Sequence, residues 1–137
     1  QMSVNDGMLA GTTGESKRVE AIKISLSNPS IAGNIEYSTH VQDIGWQTSV
    51  KNGKIAGTTG ESKRVEAIKI KLSGDISKQC DVYYRVHAQD YGWLGWAKNN
   101  ESAGTEGLSK RVEAIEIKVV TKGESVPEMG KIAFIKK

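Results

Sequence analysis

The sequence predicts an all-β fold: a closed, pseudo-threefold repeat domain that is β-prism-like, with a β-trefoil as the alternative. One unit returns three times, because the segment 11–22 recurs at 57–68 and again at 104–115, at spacings of 46 and 47 residues. Apolar residues alternate with polar ones at the period of two that is typical of half-buried strands, and no segment shows helical periodicity. Three units of about four short strands fit either architecture by length.

The two ends of the chain supply the two parts of one unit. Gln1 aligns with Gln47 at one end, and Phe134 aligns with Tyr37 at the other. We therefore predict a closed ring in which the last strand, 131–137, pairs beside the first and leaves no open sheet edge. An open stack with capping repeats is the alternative. The chain is then a single domain, 1–137, whose three repeats comprise 131–137 plus 1–31, 32–78 and 79–130.

Three strands and a turn are predicted within each unit. In the second unit, 35–42 alternates as a half-buried strand, 45–50 forms a second strand, and 68–72 forms the last. Asn52-Gly53 predicts a hairpin turn, because both residues tolerate the positive φ that tight turns need. The segment 57–68 also resembles a stretch of jacalin-type lectins, which are β-prisms, and this resemblance favours the prism.

Composition excludes several classes of protein. The 137 residues are 37% hydrophobic and 26% charged, and no apolar run is long enough for a membrane span. Lys and Arg number 19 against 16 Asp and Glu, for a net charge of +3, and the cations are interspersed with acidic residues. This pattern is typical of a solvated surface and not of a nucleic-acid footprint. We predict neither membrane insertion nor a nucleic-acid partner.

An arginine and a glutamate precede the last strand of every unit. Strict alternation would place Arg64 and Glu66 on the same face as Ile68 and the rest of the buried strand. Burial of three such ion pairs is costly unless every group is hydrogen-bonded. We therefore predict that the pair lies at one end of the sheet, or that a bulge after it switches the facing. Its predicted role is an ion pair or a loop-anchoring network, and anion binding by the arginine is the alternative.

The three tryptophans separate by strand parity. Trp46 and Trp93 share a face with small and apolar residues, which predicts that both lie in the core. Trp96 falls on the opposite face and aligns with Ser49 and Ser3. A close-packed position does not accept both an indole and a hydroxymethyl side chain, so Trp96 is predicted to be at least partly exposed.

The exposed face is predicted to carry a sugar-binding site. A sugar ring needs an aromatic platform beside amide, carboxylate or imidazole partners. The third repeat supplies this set, and the second repeat supplies its polar half. The alternative is that these side chains only satisfy their own loop, with the aspartates as turn residues. The candidate ligand-binding residues are Trp96, Tyr91, Tyr83, His87, Gln89 and Asp90, with His40, Gln42 and Asp43 in the second repeat.

Catalysis, metal binding and disulfide bonding are not predicted. Cys80 is the only cysteine and has no counterpart in the other units, so neither a disulfide nor a cysteine metal cluster can form. His40 and His87 hold equivalent positions in different units, which are expected to lie far apart. The acidic residues recur with the unit and do not form one unique catalytic pair. We predict that the protein is not an enzyme and needs no cofactor.

The motif Tyr-x-x-His-x-Gln-Asp-x-Gly-Trp, followed by Gly-Thr-x-Gly and Arg-Val-Glu-Ala-Ile, resembles the ChW repeat, the clostridial hydrophobic repeat with a conserved tryptophan. The match covers nearly the whole chain. The resemblance implies a secreted or cell-surface protein of a Gram-positive bacterium. It also implies that a second tryptophan of the family pattern is kept only at Trp96, and that Ser49 and Ser3 replace it in the other units.

We therefore expect a non-catalytic extracellular module that binds carbohydrate or cell wall and attaches a larger secreted protein. Its partner would be a cell-wall glycan or another polysaccharide. The alternative is a protein–protein interaction or adhesion module of an extracellular complex, with extracellular proteins as partners. Repeated weak sites would give useful attachment through multivalency.

Overall fold

The structure is a computed structural model that describes residues 2–4, 9–11, 20–26, 32–58, 63–124, 130 and 132–137. Its elements confirm the all-β prediction, with one short helix that was not predicted. The strands are β1 (Met2–Val4), β2 (Leu9–Gly11), β3 (Ala21–Ile24), β4 (Asn34–Val41), β5 (Gly45–Trp46), β6 (Val50–Lys51), β7 (Ala56–Gly57), β8 (Val65–Ser73), β9 (Cys80–Ala88), β10 (Gly92–Trp93), β11 (Ala97–Lys98), β12 (Ala103–Glu106), β13 (Val112–Thr121) and β14 (Phe134–Lys136). The helix α1 (Asp75–Gln79) lies between β8 and β9.

Two long antiparallel pairs form the frame of the second and third repeats. β4 pairs with β8 from Asn34↔Ser73 to Val41↔Val65, and β9 pairs with β13 in the equivalent register. The two short strands that follow each first long strand pair back onto it: β5 and β6 onto β4, and β10 and β11 onto β9. The backbone is therefore the same in both repeats, and differences between them arise from side chains.

The remaining short strand of each repeat pairs with the last long strand of the repeat before it. β7 pairs with β3, and β12 pairs with β8, both antiparallel. β2, from the beginning of the chain, pairs antiparallel with β13 of the third repeat. Two glycines permit these contacts, because Gly57 and Gly104 have φ of 104° and 122° and each packs directly against the neighbouring backbone.

The prediction that the last strand pairs beside the first is wrong for the described residues. β14 instead runs parallel to β12, with Thr105 opposite Ile135. The free edge of β12 fixes this position: Gly104 donates its amide to the Ala133 carbonyl (2.9 Å), and Lys137 donates its amide to the Glu106 carbonyl (3.0 Å). β1 pairs with β3 in parallel.

The predicted second strand, 45–50, is broken in the middle. Residues 47–49 separate β5 from β6, and Gln47 is held there because its side-chain oxygen accepts the Gly57 amide at 3.0 Å. The Asn52-Gly53 turn has the predicted positive φ values, 41° and 83°. The hairpin prediction is wrong, however, because β6 pairs with β4 and the next strand, β7, joins a different sheet.

The core lies between the inner faces of the sheets. Its largest fully buried side chains are Tyr37, Tyr84, Ile22, Ile24, Ile35, Ile68, Ile70, Ile115, Ile117, Val41 and Val65. Tyr37 and Tyr84 hold equivalent positions, and their hydroxyls donate to the Lys54 and Glu101 carbonyls. Burial raises the pKa of both phenols, so they remain neutral hydrogen-bond donors.

Candidate functional site

Each of the two complete repeats carries a cluster of tryptophan, histidine, glutamate and arginine where its long strands meet. In the second repeat a bulge makes this possible: the β4–β8 register skips Glu66, so that His40 faces Ala67 and Val41 faces Val65. Glu66 is only 6% exposed. The third repeat has the same skip at Glu113. The predicted bulge is thus confirmed, and it turns the glutamate away from the apolar face of the strand.

The glutamate contacts both the arginine and the histidine of its cluster. Arg64 Nε donates to Glu66 Oε2 at 2.9 Å, and His40 Nδ1 lies 3.2 Å from Glu66 Oε1. His40 Nε2 also lies 3.8 Å from Glu106 of β12. The hydrogen bond from Arg64 partly offsets the desolvation cost of burying Glu66, whereas His40 Nδ1 is buried beside the glutamate without a hydrogen bond.

The third-repeat cluster contains the same residue types, although its arginine contacts the glutamate through Nη2, and the buried Nε of Arg111 has no hydrogen-bond partner. Arg111 Nη2 lies 3.1 Å from Glu113 Oε2, and His87 Nδ1 lies 3.0 Å from Glu113 Oε1. The histidine ring in turn meets the indole of Trp93 edge-on, with the ring centroids 5.3 Å apart, as His40 meets Trp46 at 5.4 Å. The glutamate thus orients the histidine, and the histidine supports the tryptophan.

The glutamines and aspartates of the predicted site hold the turn that precedes each tryptophan. Gln42 donates its amide to the Arg64 carbonyl at 2.9 Å, and its side-chain oxygen accepts the Arg64 amide; Gln89 does the same with Arg111. Asp43 and Asp90 have φ of 64° and 68°, as turn residues do. These contacts favour the loop-holding interpretation of the two glutamines, and the φ values identify the two aspartates as turn residues.

Each aspartate also has a lysine partner. Lys110 Nζ lies 2.5 Å from Asp90, and Lys63 Nζ lies 3.7 Å from Asp43. The hydrogen bond from Lys110 lowers the pKa of Asp90, so the carboxylate remains charged. Asp90 is nevertheless exposed, and its position beside Tyr91 keeps it within reach of a ligand at the tip of the loop.

The predicted facing of the tryptophans is wrong. Trp96 is buried, with 8% of its surface exposed, whereas Trp46 and Trp93 are half-buried. The cause is the break between the two short strands, because the alternation of side chains cannot be counted across residues that do not form a strand. Tyr83, predicted as part of the exposed platform, is also buried, at 4% exposure, with Lys98 Nζ 5.8 Å from its ring.

A cation covers each of the half-buried indoles. Lys69 Nζ lies 4.4 Å from the ring of Trp46, and the guanidinium of Arg85 lies 4.5 Å from the ring of Trp93. Arg85 also lies 5.0 Å from the ring of Trp96. Such contacts stabilise the ring orientation because the face of an indole carries partial negative charge.

An apolar groove of about 480 Å³ opens beside Trp93. Its lining residues are Tyr91, Trp93, Leu94, Ile132 and Ile135. Tyr91 is 45% exposed and Ile132 is 70% exposed, so both remain available at the surface. The groove joins the tip of the β9–β10 turn to the segment around β14, and Gly95 donates its amide to the Ile132 carbonyl at this junction.

The groove contains only one of the predicted site residues, Tyr91. Sequence reasoning placed Trp93 in the core, although its recurrence with Trp46 after the same turn was a usable signal. Nothing in the repeat alignment pointed to Ile132 or Ile135, because their contact depends on the unexpected pairing of β14 with β12. His87 and His40 lie in the clusters behind the tryptophans, bound to glutamates.

Within the described residues, no group of three or more His, Cys, Asp or Glu side chains is arranged to hold a metal ion. Cys80 is a free, buried thiol at the start of β9. The helix in the described part of the chain is too short and too polar to span a membrane.

The fold and the clusters define an all-β repeat protein in which each of the two complete repeats carries a tryptophan beside a cluster of histidine, glutamate and arginine. The model of the family described as clostridial hydrophobic W, or ChW, matches residues 1–28, 40–74 and 87–121, which together make up well over half of the chain. The chain therefore belongs to the ChW family. No curated protein and no solved structure gave a match.

Proposed function

We propose that this chain is a non-catalytic, extracellular binding module that attaches a larger protein to cell-wall glycan, with the groove beside Trp93 as its binding site. The observation that carries the proposal is the pair of aromatic rings that line the groove: Tyr91, which is 45% exposed, and Trp93, which is half-buried. Sugar rings present apolar C–H faces that pack on such rings. The family resemblance, with its secreted or cell-surface setting in Gram-positive bacteria, supports the same function.

Polar groups at the rim supply partners for hydroxyl groups. Asp90 and Lys110 form an exposed ion pair next to Tyr91, and each keeps hydrogen-bonding capacity beyond its contact with the other. The groove is open and shallow, so each site would bind weakly. Attachment would then depend on several modules that bind in parallel.

A protein-interaction or adhesion module is the second candidate, and a specific observation favours it. Three of the five lining residues, Leu94, Ile132 and Ile135, are aliphatic, and a sugar has less need of aliphatic contacts than an apolar protein segment has. An extracellular partner protein would fill the same groove.

One binding experiment separates the two candidates. Purified protein is mixed with insoluble peptidoglycan, wall polysaccharide and glucan, and the bound fraction is measured for wild type, Tyr91→Ala and Ile44→Ala. Ile44 is the matched control because it holds the position of Tyr91 in the second repeat. We expect Tyr91→Ala to reduce retention about ten-fold, the effect of losing a stacked aromatic contact of about 1–2 kcal/mol.

Two results would contradict the glycan proposal. If folded wild-type protein is retained on none of these polymers, the chain does not bind wall glycan. If capture of a partner from culture supernatant depends on Tyr91 and is unaffected by soluble sugars, the protein-interaction function is correct.

For the architecture we also propose closure of the three repeats into a β-prism-like ring. The strand pairing supports it, because the rule that joins β7 to β3 and β12 to β8 also joins β2 to β13. The β-trefoil is the alternative, and an experimental structure would decide between them.

A further inference from the structure

We infer that the second repeat carries a separate binding place for a sugar ring that bears a negative charge, on the outer face of β4 and β8 beside Trp46. The inference rests on the proposed function, since it names a class of glycan for a chain proposed to bind glycans. It depends on a comparison of the two complete repeats at equivalent positions of the same backbone.

The third repeat shows what fits on this face. Trp96 directly precedes β11 and packs there at 8% exposure. Arg85 lies 5.0 Å from the ring centroid and Lys118 Nζ lies 5.5 Å from it, so that two cations flank one flat ring. Arg85 is neutralised by Glu116 at 2.7 Å. In the third repeat, the indole of Trp96 therefore occupies this position on the outer face of β9 and β13.

The second repeat has no indole at the equivalent position on the outer face of β4 and β8. Ser49 directly precedes β6 and is the counterpart of Trp96, and it is exposed. The equivalence is secure because β6 pairs with β4 in the register in which β11 pairs with β9: Val50 faces Tyr37, as Ala97 faces Tyr84. A serine side chain lacks the whole ring system of an indole, so the second repeat has no aromatic ring of its own at this position, and Ser49 is exposed there.

The charge on this face is positive. Lys69 and Lys71 lie two positions apart on β8, and Lys71 is the counterpart of Lys118. Lys51, on β6, faces the same side, because its register partner on β4 is also that of Lys71. Among the described residues, none of these lysines has a carboxylate within the 4.0 Å of an ion pair.

Two acidic residues share this face of the two strands, and one of them, Glu66, is already bound to Arg64 and His40. Glu36 stands opposite Lys51 and Lys71, whereas Ser38 stands opposite Lys69, where the third repeat has the neutralising pair of Arg85 and Glu116. Three lysines thus share one carboxylate. A carboxylate or phosphate on the bound ring would supply the missing negative charge, while the ring itself would occupy the place that Trp96 fills in the other repeat.

The test measures binding in solution with chemically matched probes. Trigalacturonate carries the charged ring, its methyl ester carries the same ring without the charge, and glucose 6-phosphate presents a phosphate in place of the carboxylate. Titration is followed by calorimetry and by the indole N–H signal of Trp46. We expect wild-type protein to bind trigalacturonate or glucose 6-phosphate more tightly than the methyl ester, with a shift of the Trp46 signal.

Two variants probe the site and one serves as the control. Lys69→Gln combined with Lys71→Gln should weaken binding of the charged probe about five-fold, given the modest worth of each exposed charge pair, and should leave binding of the ester unchanged. Ser49→Trp should block the site by placing there the ring of the other repeat. Lys118→Gln, the matched change in the third repeat, should have no effect. If Ser49→Trp does not fold, the lysine variant still tests the site.

The outcomes separate the inference from the function on which it rests. The inference is overturned if Lys118→Gln weakens binding of the charged probe as much as the Lys69→Gln, Lys71→Gln variant does. It is also overturned if wild-type protein binds trigalacturonate and its methyl ester equally well and shows no preference for glucose 6-phosphate. If neutral wall glycans are still retained in that case, the proposed function stands. Absence of binding to every glycan overturns the proposed function as well.

Discussion

In the second repeat the residue before β6 is Ser49, and in the third repeat the residue before β11 is Trp96, although both stand at the same point of the same backbone. The third repeat packs its extra indole between Arg85 and Lys118. The second repeat has the exposed Ser49 there, and Lys51, Lys69 and Lys71 on the same face form no ion pair within the described residues. The comparison teaches that the same strand arrangement can carry an outer face covered by its own tryptophan, as in the third repeat, or an outer face without that tryptophan, as in the second.

Trp46 and Trp93 are each covered by a cation, although the two repeats differ in the residue that supplies it. In the third repeat it is Arg85 on β9, paired with Glu116. In the second repeat the position of Arg85 is held by Ser38, and the cation is Lys69, which replaces Glu116 on the facing strand. Both repeats thus keep a cation over the indole, but it comes from the first long strand in the third repeat and from the last long strand in the second.

The largest expected effect comes from removing the extra indole. Trp96→Ala should lower the free energy of unfolding by about 3–5 kcal/mol, because a buried aromatic side chain is deleted. Ser49→Ala, its counterpart, should change it by less than about 0.5 kcal/mol. Urea denaturation of both variants measures the difference. Equal, small effects would show that Trp96 is not packed and would restore the exposed position that strand parity predicted.

The second effect concerns the buried glutamates. Glu113→Ala should cost about 2–3 kcal/mol, because it leaves Arg111 and His87 without their shared acceptor. Glu66→Ala should cost less, because His40 keeps a second carboxylate, Glu106, at 3.8 Å. The same denaturation measurement orders the two variants. A larger loss for Glu66→Ala would mean that Glu106 contributes nothing to its cluster.

The third effect should be the same in both repeats. Tyr84→Phe and Tyr37→Phe each remove a buried hydroxyl that donates to a backbone carbonyl, and each should cost about 1 kcal/mol. Differential scanning calorimetry should give matched decreases in Tm. Unequal decreases would break the equivalence of the two cores.

The smallest effect depends on pH. A hydrogen bond from Lys122, assisted by one from Asn99, lowers the pKa of Asp81 below its ordinary value of 3.8. The carboxylate therefore contributes stability that is fully present above about pH 4 and is lost as the pH falls through the folded-state pKa. Asp81→Asn reproduces the second repeat, where Asn34 accepts from Asn52 at 2.6 Å. The difference in the free energy of unfolding between wild type and Asp81→Asn, measured by urea denaturation at several pH values, should decrease as the pH is lowered. A difference that does not change with pH would exclude a stabilising role for the charged carboxylate.

The sequence predicted the repeat and the all-β class, because both depend on local sequence pattern. It also predicted the bulge, because strict alternation would have buried an ion pair in the apolar face. Burial of Glu66 beside Ile68 was too costly, so a change of facing had to follow. The facing of Trp96 could not be predicted, since side-chain parity fails where residues 47–49 and 94–96 leave the strand. The groove could not be predicted either, because the place of β14 depends on a long-range pairing that repeat alignment does not encode.

The pairing of β2 with β13 has a consequence for how the chain folds. Ala10 stands opposite Ile115, so this ladder joins residues far apart in the sequence, and the entropy of closing that long loop must be lost before its contacts are gained. The repeats are thus coupled kinetically as well as by contact, and slow, cooperative folding is expected despite the local simplicity of each unit. Truncation of residues 1–11 would remove β2, the first-repeat strand that pairs with β13, and uncover the edge of β13.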